Sequence, residues 1–343
     1  MKHLISNTYC ISLLLLVNGC NLWGTEPYYY APISSHTIIK SSYLSQQWVK
    51  ENVFISEDNL SPMMVASQGK VAFLGSLDRN DTTAIIVLKA NSGDLQWQQQ
   101  FGIPTTIFAS PFALYVGRSG GASVTRYDLE TGSMRWDTPL ASARGSTYLT
   151  VLDDIVSVQT SASRDKFFIL NANTGEIIKT IDGTANFLNS EGISFQRATI
   201  TNQLNAINTS TQELLWSVKL DYAFHLAPIF TESEIFIRTD IGGIYCLERK
   251  TGTIKWHTEN IAISNLAVAK GLVYFLTRDG KLQGLDLVSG EAKYLAQFDT
   301  DRFVLNGEEH IGGYHVAYDP ATKMVFAELG DSAQLFAFQI VQR

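Results

Sequence analysis

Cysteine is almost absent from this sequence, with three in 343 residues. Cys10 and Cys20 lie within and at the end of an N-terminal apolar stretch. Cys246 is the one thiol left to the remainder, which excludes disulfide reinforcement and leaves stability to the core. It falls in an alternating apolar segment and reads as a small buried hydrophobe. Basic charge is scarce too. Lys and Arg number 26 against 33 Asp and Glu, a net charge of −7. With no basic stripe and no basic-aromatic run, a nucleic-acid partner is excluded. No segment beyond the N-terminus holds a 3.6-residue apolar period, which excludes a helical architecture. Neither His-Glu-x-x-His nor Cys-x-x-Cys spacing occurs, so there is no tight metal motif. Apolar residues, by contrast, make up 45% of the chain, with only 17% charged. That is ample for large buried faces.

The N-terminus reads as an address. Lys2 and His3 precede the short apolar run Ile11 to Val17, which ends in Asn18-Gly19-Cys20. A run this short suits a secretory signal better than a spanning helix. Val17-Asn-Gly-Cys20 resembles the bacterial lipobox, which makes residues 1–19 a lipoprotein signal and Cys20 the lipidated residue. Each acyl CH₂ buried in a bilayer contributes about 0.8 kcal/mol, so such an anchor is firm. By the same resemblance, Asn21 in place of an aspartate points to the outer membrane. Residues 20–44 are read as the lipidated cysteine and a flexible tether, with Trp23 to Pro32 aromatic and proline-punctuated and a Ser/Thr-rich stretch after it.

Beyond the tether the chain is a repeat. Asp128-Leu-Glu-Thr-Gly132…Trp136 is a polar turn tipped by glycine, with tryptophan four residues on. It returns around Gly93 and Trp97, Gly175 and Lys179, Gln212 and Trp216, Gly252 and Trp256, and Gly290 and Tyr294. The turn tips are spaced 39, 43, 37, 40 and 38 residues apart, a period that suits a four-stranded propeller blade. Between turns the pattern is β: Glu234-Ile-Phe-Ile-Arg, then Asp240-Ile-Gly-Gly, then Ile244-Tyr-Cys-Leu-Glu, bounded by Gly, Asn and Asp. Glycine at the tip supplies a positive φ, so Gln212 predicts a turn of another type there.

The two chain ends complement each other. The C-terminal region offers three strands and stops without a Trp-bearing fourth, while Gln46-Gln-Trp48-Val-Lys-Glu near the N-terminus is an orphan resembling Leu95-Gln-Trp97. Giving the orphan to the last blade predicts an all-β fold over 45–343. This is a seven-bladed β-propeller of four-stranded antiparallel blades, closed by an N-terminal strand. Closure removes the exposed sheet edges of an open array.

The phrase Asp-x-x-Thr-Gly-x-x-x-Trp at this period resembles the pyrroloquinoline-quinone-like β-propeller repeat. With the lipobox, the whole chain resembles the BamB-type propeller lipoproteins of the outer-membrane β-barrel assembly machine, although these have eight blades. The resemblance implies a non-catalytic scaffold, held on the periplasmic side of the outer membrane and partnered by other envelope proteins. The seven-blade count and the divergent third, fourth and sixth copies widen that to other envelope machines, such as the outer-membrane complex of a secretion system. Quinone-dependent dehydrogenases are much longer and carry adjacent cysteines and a calcium site. This chain has no adjacent pair, so no cofactor is expected.

Other candidate motifs have plainer readings. Gly117-Arg-Ser119-Gly-Gly121 matches G-x-S-x-G, but it sits between two β segments instead of before a helix, and reads as a hairpin tip. Glu308-Glu309-His310…His315 gathers metal-competent side chains, yet His310 and His315 point to opposite faces of an extended strand. His225 leads into an inner strand and reads as structural; Asp153-Asp154 reads as a strand-end turn. No catalytic residue is assigned. The loop tips at 118–121 and 161–165 are contact candidates by position, and an open blade edge suits strand addition by a partner. The competing class is an enzyme or a sugar-binding propeller using the central channel.

Overall fold

The computed structural model describes residues 35–56, 63–78, 83–119, 121–140, 147–152, 154–160, 166–182, 186–188, 192–198, 202–208, 210–224, 226–259, 262–300 and 313–341. Every regular element among them is a strand. Two strands, β1 (Ile38–Ser41) and β2 (Leu44–Glu51), come first and belong to the last two blades. Blade 1 holds β3 (Phe54–Ile55) and β4 (Met64–Ser67), both paired with β5 (Lys70–Ser76), followed by β6 (Ala84–Lys89) and β7 (Leu95–Gln100). Blade 2 is β8 (Pro104–Ser110), β9 (Ala113–Arg118), β10 (Ser123–Asp128) and β11 (Met134–Pro139). Blade 3 is β12 (Thr147–Leu152), β13 (Ile155–Thr160), β14 (Lys166–Asn171) and β15 (Ile177–Asp182). Blade 4 is β16 (Asn186–Leu188), β17 (Ile193–Ala198), β18 (Gln203–Asn208) and β19 (Leu214–Lys219). Blade 5 is β20 (Ile229–Phe230), β21 (Glu234–Arg238), β22 (Ile244–Glu248) and β23 (Ile254–Thr258). Blade 6 is β24 (Ala267–Ala269), β25 (Leu272–Thr277), β26 (Lys281–Asp286) and β27 (Ala292–Phe298), and blade 7 is β28 (Tyr314–Asp319), β29 (Met324–Leu329) and β30 (Gln334–Ile340).

The fourth strand of blade 7 is β2, paired antiparallel with β30 from Leu44–Ile340 to Glu51–Gln334. The closure read from the chain ends is the one observed. First strands of successive blades touch one another along the series β24, β28, β4, β8, β12, so they surround the axis. The second strands are continuous apolar runs, such as Val71-Ala-Phe-Leu, Ile235-Phe-Ile and Val273-Tyr-Phe-Leu, all buried. A strand covered on both faces by neighbouring blades has no solvent side on which to alternate.

Outer strands alternate instead, and five of them carry an inward tryptophan. A bulge precedes it: Val87 pairs with Trp97 but Leu88 with Leu95, which leaves Gln96 unpaired. The same slip precedes Trp136, Lys179, Trp216, Trp256 and Trp48. A bulge re-aims the following side chain, and here it turns the indole onto the next blade. Trp48, Trp97, Trp136, Trp216 and Trp256 donate from Nε1 to the carbonyls of Ala90, Leu129, Ala172, Arg249 and Leu287 at 2.8, 3.0, 3.3, 3.2 and 2.9 Å. Each ring lies over the turn glycine of that blade: Gly93, Gly132, Gly175, Gly252 and Gly290. A Cβ on Gly252 would stand 2.5 Å from Trp216 Cε3, so glycine is required for this approach as well as for its φ of 71°. Behind the indole, four of the five rings pack on an aromatic of their own second strand, as Trp256 does on Phe236 at 6.0 Å. Cys246 is the small spacer between those two rings.

Two seams lack this lock, and each lacks both halves of it. Between blades 3 and 4, Lys179 replaces the indole and Gln212 the glycine. Between blades 6 and 7, the bulge of β27 falls after Tyr294, and blade 7 has no third-to-fourth turn because its fourth strand comes from the other end of the chain.

The structure corrects two readings. Gln212 does not change the turn type. It adopts φ 58° and donates from its backbone to Asn208 O at 2.8 Å, as Gly132 does to Asp128 O at 2.9 Å. A left-handed non-glycine residue costs about 1–2 kcal/mol, and it is tolerated here because no indole covers the tip. The turn is held, as at Asp128 and Asn171, by a side-chain oxygen: Asn208 Oδ1 accepts from the backbone N–H groups of Ser210 and Thr211. Likewise the range 20–44, read as a flexible tether, contains a strand. Ile38–Ser41 extends blade 6 as a fifth strand on the outer edge of β27, because that edge offers unpaired backbone groups next to the seam where β2 must enter.

Candidate interaction surfaces

The chemistry-bearing candidates separate in space. Ser119 follows β9 and its backbone donates to Ile103 O at 2.9 Å; the G-x-S-x-G stretch joins β9 to β10 as the hairpin read from the sequence. Asp154 accepts from Asn173 Nδ2 at 3.3 Å and so ties two turns of blade 3 together. His315 sits on β28 opposite Glu328 and is buried, with no hydrogen-bond partner on either ring nitrogen. Burial lowers its pKa to about 4, so the ring is neutral. Cys20, Asp153, the tip at 161–165, His225 and Glu308 to His310 lie outside the described residues. Among the described residues no group of three metal-competent side chains converges. Cys246 is buried, and its thiol pKa is pushed up to about 12 by that burial, which makes it inert.

Four turns bearing the repeat motif share one hydrogen-bond pattern, in which a side-chain oxygen at the motif's first position accepts from backbone N–H groups. Asp128 accepts from Arg135 Nη2 at 2.6 Å and from the backbone of Thr131 at 2.9 Å, and these bonds hold its carboxyl at a pKa of about 2. Asp286 is held at about 2 by backbone bonds from Ser289 and Val288 and by Lys293. Asn171 and Asn208 do the same neutral work in blades 3 and 4. The motif's acid therefore organises its own turn.

Sequence reading missed a buried polar bridge at the seam of blades 6 and 7. His36 places Nδ1 at 3.3 Å from Asp299 and Nε2 at 3.1 Å from Asp331. Its backbone N–H donates to Gln334 Oε1 at 2.6 Å, and Gln334 Nε2 reaches Glu51 at 2.9 Å. Thr37 adds hydrogen bonds to Asp299 from its backbone and hydroxyl. Burial lowers the His36 pKa, but the hydrogen bond and charge of Asp331, followed by those of Asp299, outweigh it, so the net shift is upward. The bridge thus fastens the N-terminal segment to both blades that it joins.

The outer rim is the other distinctive surface. The residue two places after each turn tip is an exposed aliphatic or methionine in five blades: Leu95, Met134, Ile177, Leu214 and Ile254. The next residue is polar or charged in blades 1, 2, 5 and 6 (Gln96, Arg135, Lys255, Lys293), but aliphatic and exposed in blades 3 and 4 (Ile178, Leu215).

A closed ring of Trp-locked blades with an acidic or amide turn motif defines a quinoprotein-type β-propeller. Within that class, residues 45–186 and 182–304 match the family described as outer membrane protein assembly factor BamB, and the chain belongs to that family. Among solved structures, BamB from Moraxella catarrhalis is similar at 13% identity and a TM-score of 0.51, covering 88% of this chain and 98% of that one. A chain of a mitotic checkpoint complex is similar at 13% identity and a TM-score of 0.65, covering 92% and 97%. The Cps50 (Swd1) propeller domain of Myceliophteria thermophila is similar at 11% identity and a TM-score of 0.60, covering 90% and 100%. At these identities the likeness is one of fold. No curated protein matches the chain.

Proposed function

We propose that this chain is a non-catalytic protein-interaction scaffold of a bacterial envelope machine, held by lipid at Cys20 on the periplasmic side of the outer membrane. One observation carries the reading: most of the propeller, residues 45–304, matches a family described as an outer-membrane protein assembly factor. The geometry is compatible with it, because a ring of locked blades is a rigid mount for loops, and loops on a rigid mount are where binding concentrates. β-barrel assembly is the machine that the family description favours. Affinity purification from crosslinked membranes tests the reading. Stoichiometric recovery of outer-membrane assembly proteins is expected, and it should be lost with Cys20→Ala, which frees the chain from the membrane. Recovery of the chain alone, with a small molecule in its channel, would overturn it in favour of a ligand-binding propeller.

A further inference from the structure

The N-terminal segment is held in two unequal halves. β2 is firm: it pairs with β30 from Leu44–Ile340 to Glu51–Gln334 and carries Trp48 onto Gly93. β1 is slight. Its ladder with β27 joins Ile38 to Phe298, Lys40 to Gln297 and Ser41 to Ala296, and it slips between the first two pairs. Three of its four residues are exposed, Ile39 at 66%, so little apolar burial holds it. What fastens it is polar and gathers around His36. The Gln334 side-chain amide brackets the His36 backbone, accepting from its N–H and donating to its carbonyl. Thr37 donates to Asp299 from backbone and hydroxyl, and the Asp299 N–H returns a bond to Thr37 O at 2.9 Å.

The His36 ring is different, because its hold depends on charge. Each nitrogen faces a carboxylate oxygen, Asp299 Oδ1 on one side and Asp331 Oδ2 on the other. A carboxylate only accepts, so both contacts are hydrogen bonds only when both nitrogens carry a proton. The seated ring is therefore an imidazolium. A neutral ring has one N–H and would turn a lone pair on the second carboxylate. It would also remove their counter-charge. Asp331 is 3% exposed, and an unpaired buried charge is costly. No neighbour supplies a replacement. Tyr314 of β28 also interacts with Asp331, and burial, Asp331 and Glu328 of β29 all push its pKa upward, so it stays neutral. Glu51 of β2 meets the same Gln334 amide and adds another acid. Lys40, on β1 itself, is exposed. Among the described residues His36 is the cation paired with both carboxylates.

We propose that His36 is a pH-operated latch: its imidazolium holds residues 35–42 against blades 6 and 7, and loss of that proton releases them while β2 stays in place. Burial weakens the ring's grip on its proton, but Asp331 and then Asp299 outweigh it. The latch is thus shut below about pH 6.5 and opens as pH rises through the seated ring's pKa. Release uncovers the backbone edge of β27 at Ala296–Phe298. It also lengthens the segment leading to Cys20, by up to about 28 Å at roughly 3.5 Å per extended residue. The latch itself needs no anchor; the change in reach rests on the lipid anchor of the scaffold reading.

The test is hydrogen exchange of the full-length chain, resolved to single amides by mass spectrometry at about pH 6 and about pH 9 and corrected for the intrinsic pH dependence of exchange. The Ser42 and Asp299 amides report the latch, because they donate to Leu295 O and Thr37 O. Their protection should fall at least tenfold at the higher pH, while that of β30, paired with β2, changes less than twofold. In Asp331→Asn a neutral ring can donate to Asp299 and accept from the new amide, so protection should be equal at both pH values. His36→Gln should be as weakly protected at about pH 6 as the parent is at about pH 9. Equal protection of the parent at both values would overturn the latch. A fall shared by β30 would overturn it too, since blade 7 would then be unfolding as a whole. A pH step of parental size in Asp331→Asn would overturn the assignment to His36. None of these outcomes touches the scaffold reading.

Discussion

Trp48 lies across the face of Gly93: a Cβ on residue 93 would stand 3.0 Å from the indole, and Trp48 Nε1 donates to Ala90 O at 2.8 Å. Trp48 belongs to the strand that completes blade 7, and Gly93 to blade 1. The ring is thus closed by the same contact that joins its internal seams. Deleting Ser45–Phe54 takes away this strand, its pairing with β30 and the Trp48 contact together. The deletion should abolish the cooperative thermal transition of the whole domain. A shortened protein that melts like the parent would refute closure by β2.

The locks should carry measurable stability. Trp256 is buried against Phe236 and Gly290, so Trp256→Ala should cost about 3–5 kcal/mol in denaturant titration. Lys179→Ala, at the same place in blade 3, faces solvent and should stay within about 0.5 kcal/mol of the parent.

The missing lock can be rebuilt. Gln212→Gly alone relieves a left-handed residue and should be close to neutral, because glycine also loses more entropy on folding. Lys179→Trp alone would press an indole onto the Gln212 side chain and should destabilise. Together they should be more stable than the sum of the two by about 1–2 kcal/mol, the scale on which contacting residues couple. Strict additivity in that double-mutant cycle would show that the seam cannot accept the contact.

Two histidines should give opposite pH signatures. The folded-state pKa of His36 is raised above 6.5, so its stabilisation is complete below that value and is lost as pH rises through the folded pKa. His315 is lowered from 6.5 to about 4 by burial. The folded state resists its proton, and stability falls as pH drops from 6.5 towards 4. His36→Gln should flatten the alkaline limb of a stability–pH profile. His315→Gln should flatten the acidic limb, by on the order of 3 kcal/mol, since one pKa unit is about 1.4 kcal/mol. Parallel profiles for parent and variants would contradict both assignments.

The blades and their closure were legible because their signals are local. An acid or amide, a turn tip and a tryptophan four residues on determine one turn, one bulge and one inward ring. The orphan around Trp48 had the wording of an outer strand and no blade of its own. Three features were not legible. Ile38–Ser41 has neither length nor a turn signature, and becomes a strand only because β27 offers it an edge. Gln212 looked like a broken turn because the sequence names the residue but not the missing indole above it. His36 meets partners 263 and 295 residues away, a distance over which no motif runs.

The strand that finishes the last blade is made before every strand of blade 1. Glu51 and Gln334, joined at one end of that pairing, are separated by 283 residues. At roughly 5–20 residues per second of synthesis, β2 waits about 15–60 s before β30 exists. An unpaired strand is a template for misassembly throughout such a delay. Ser45-Gln-Gln-Trp-Val-Lys-Glu51 is mostly polar, with its tryptophan as the main apolar load. The outer place in the blade permits that composition, since one side of the strand ends in water. The same polarity lets the strand remain soluble until its partner arrives.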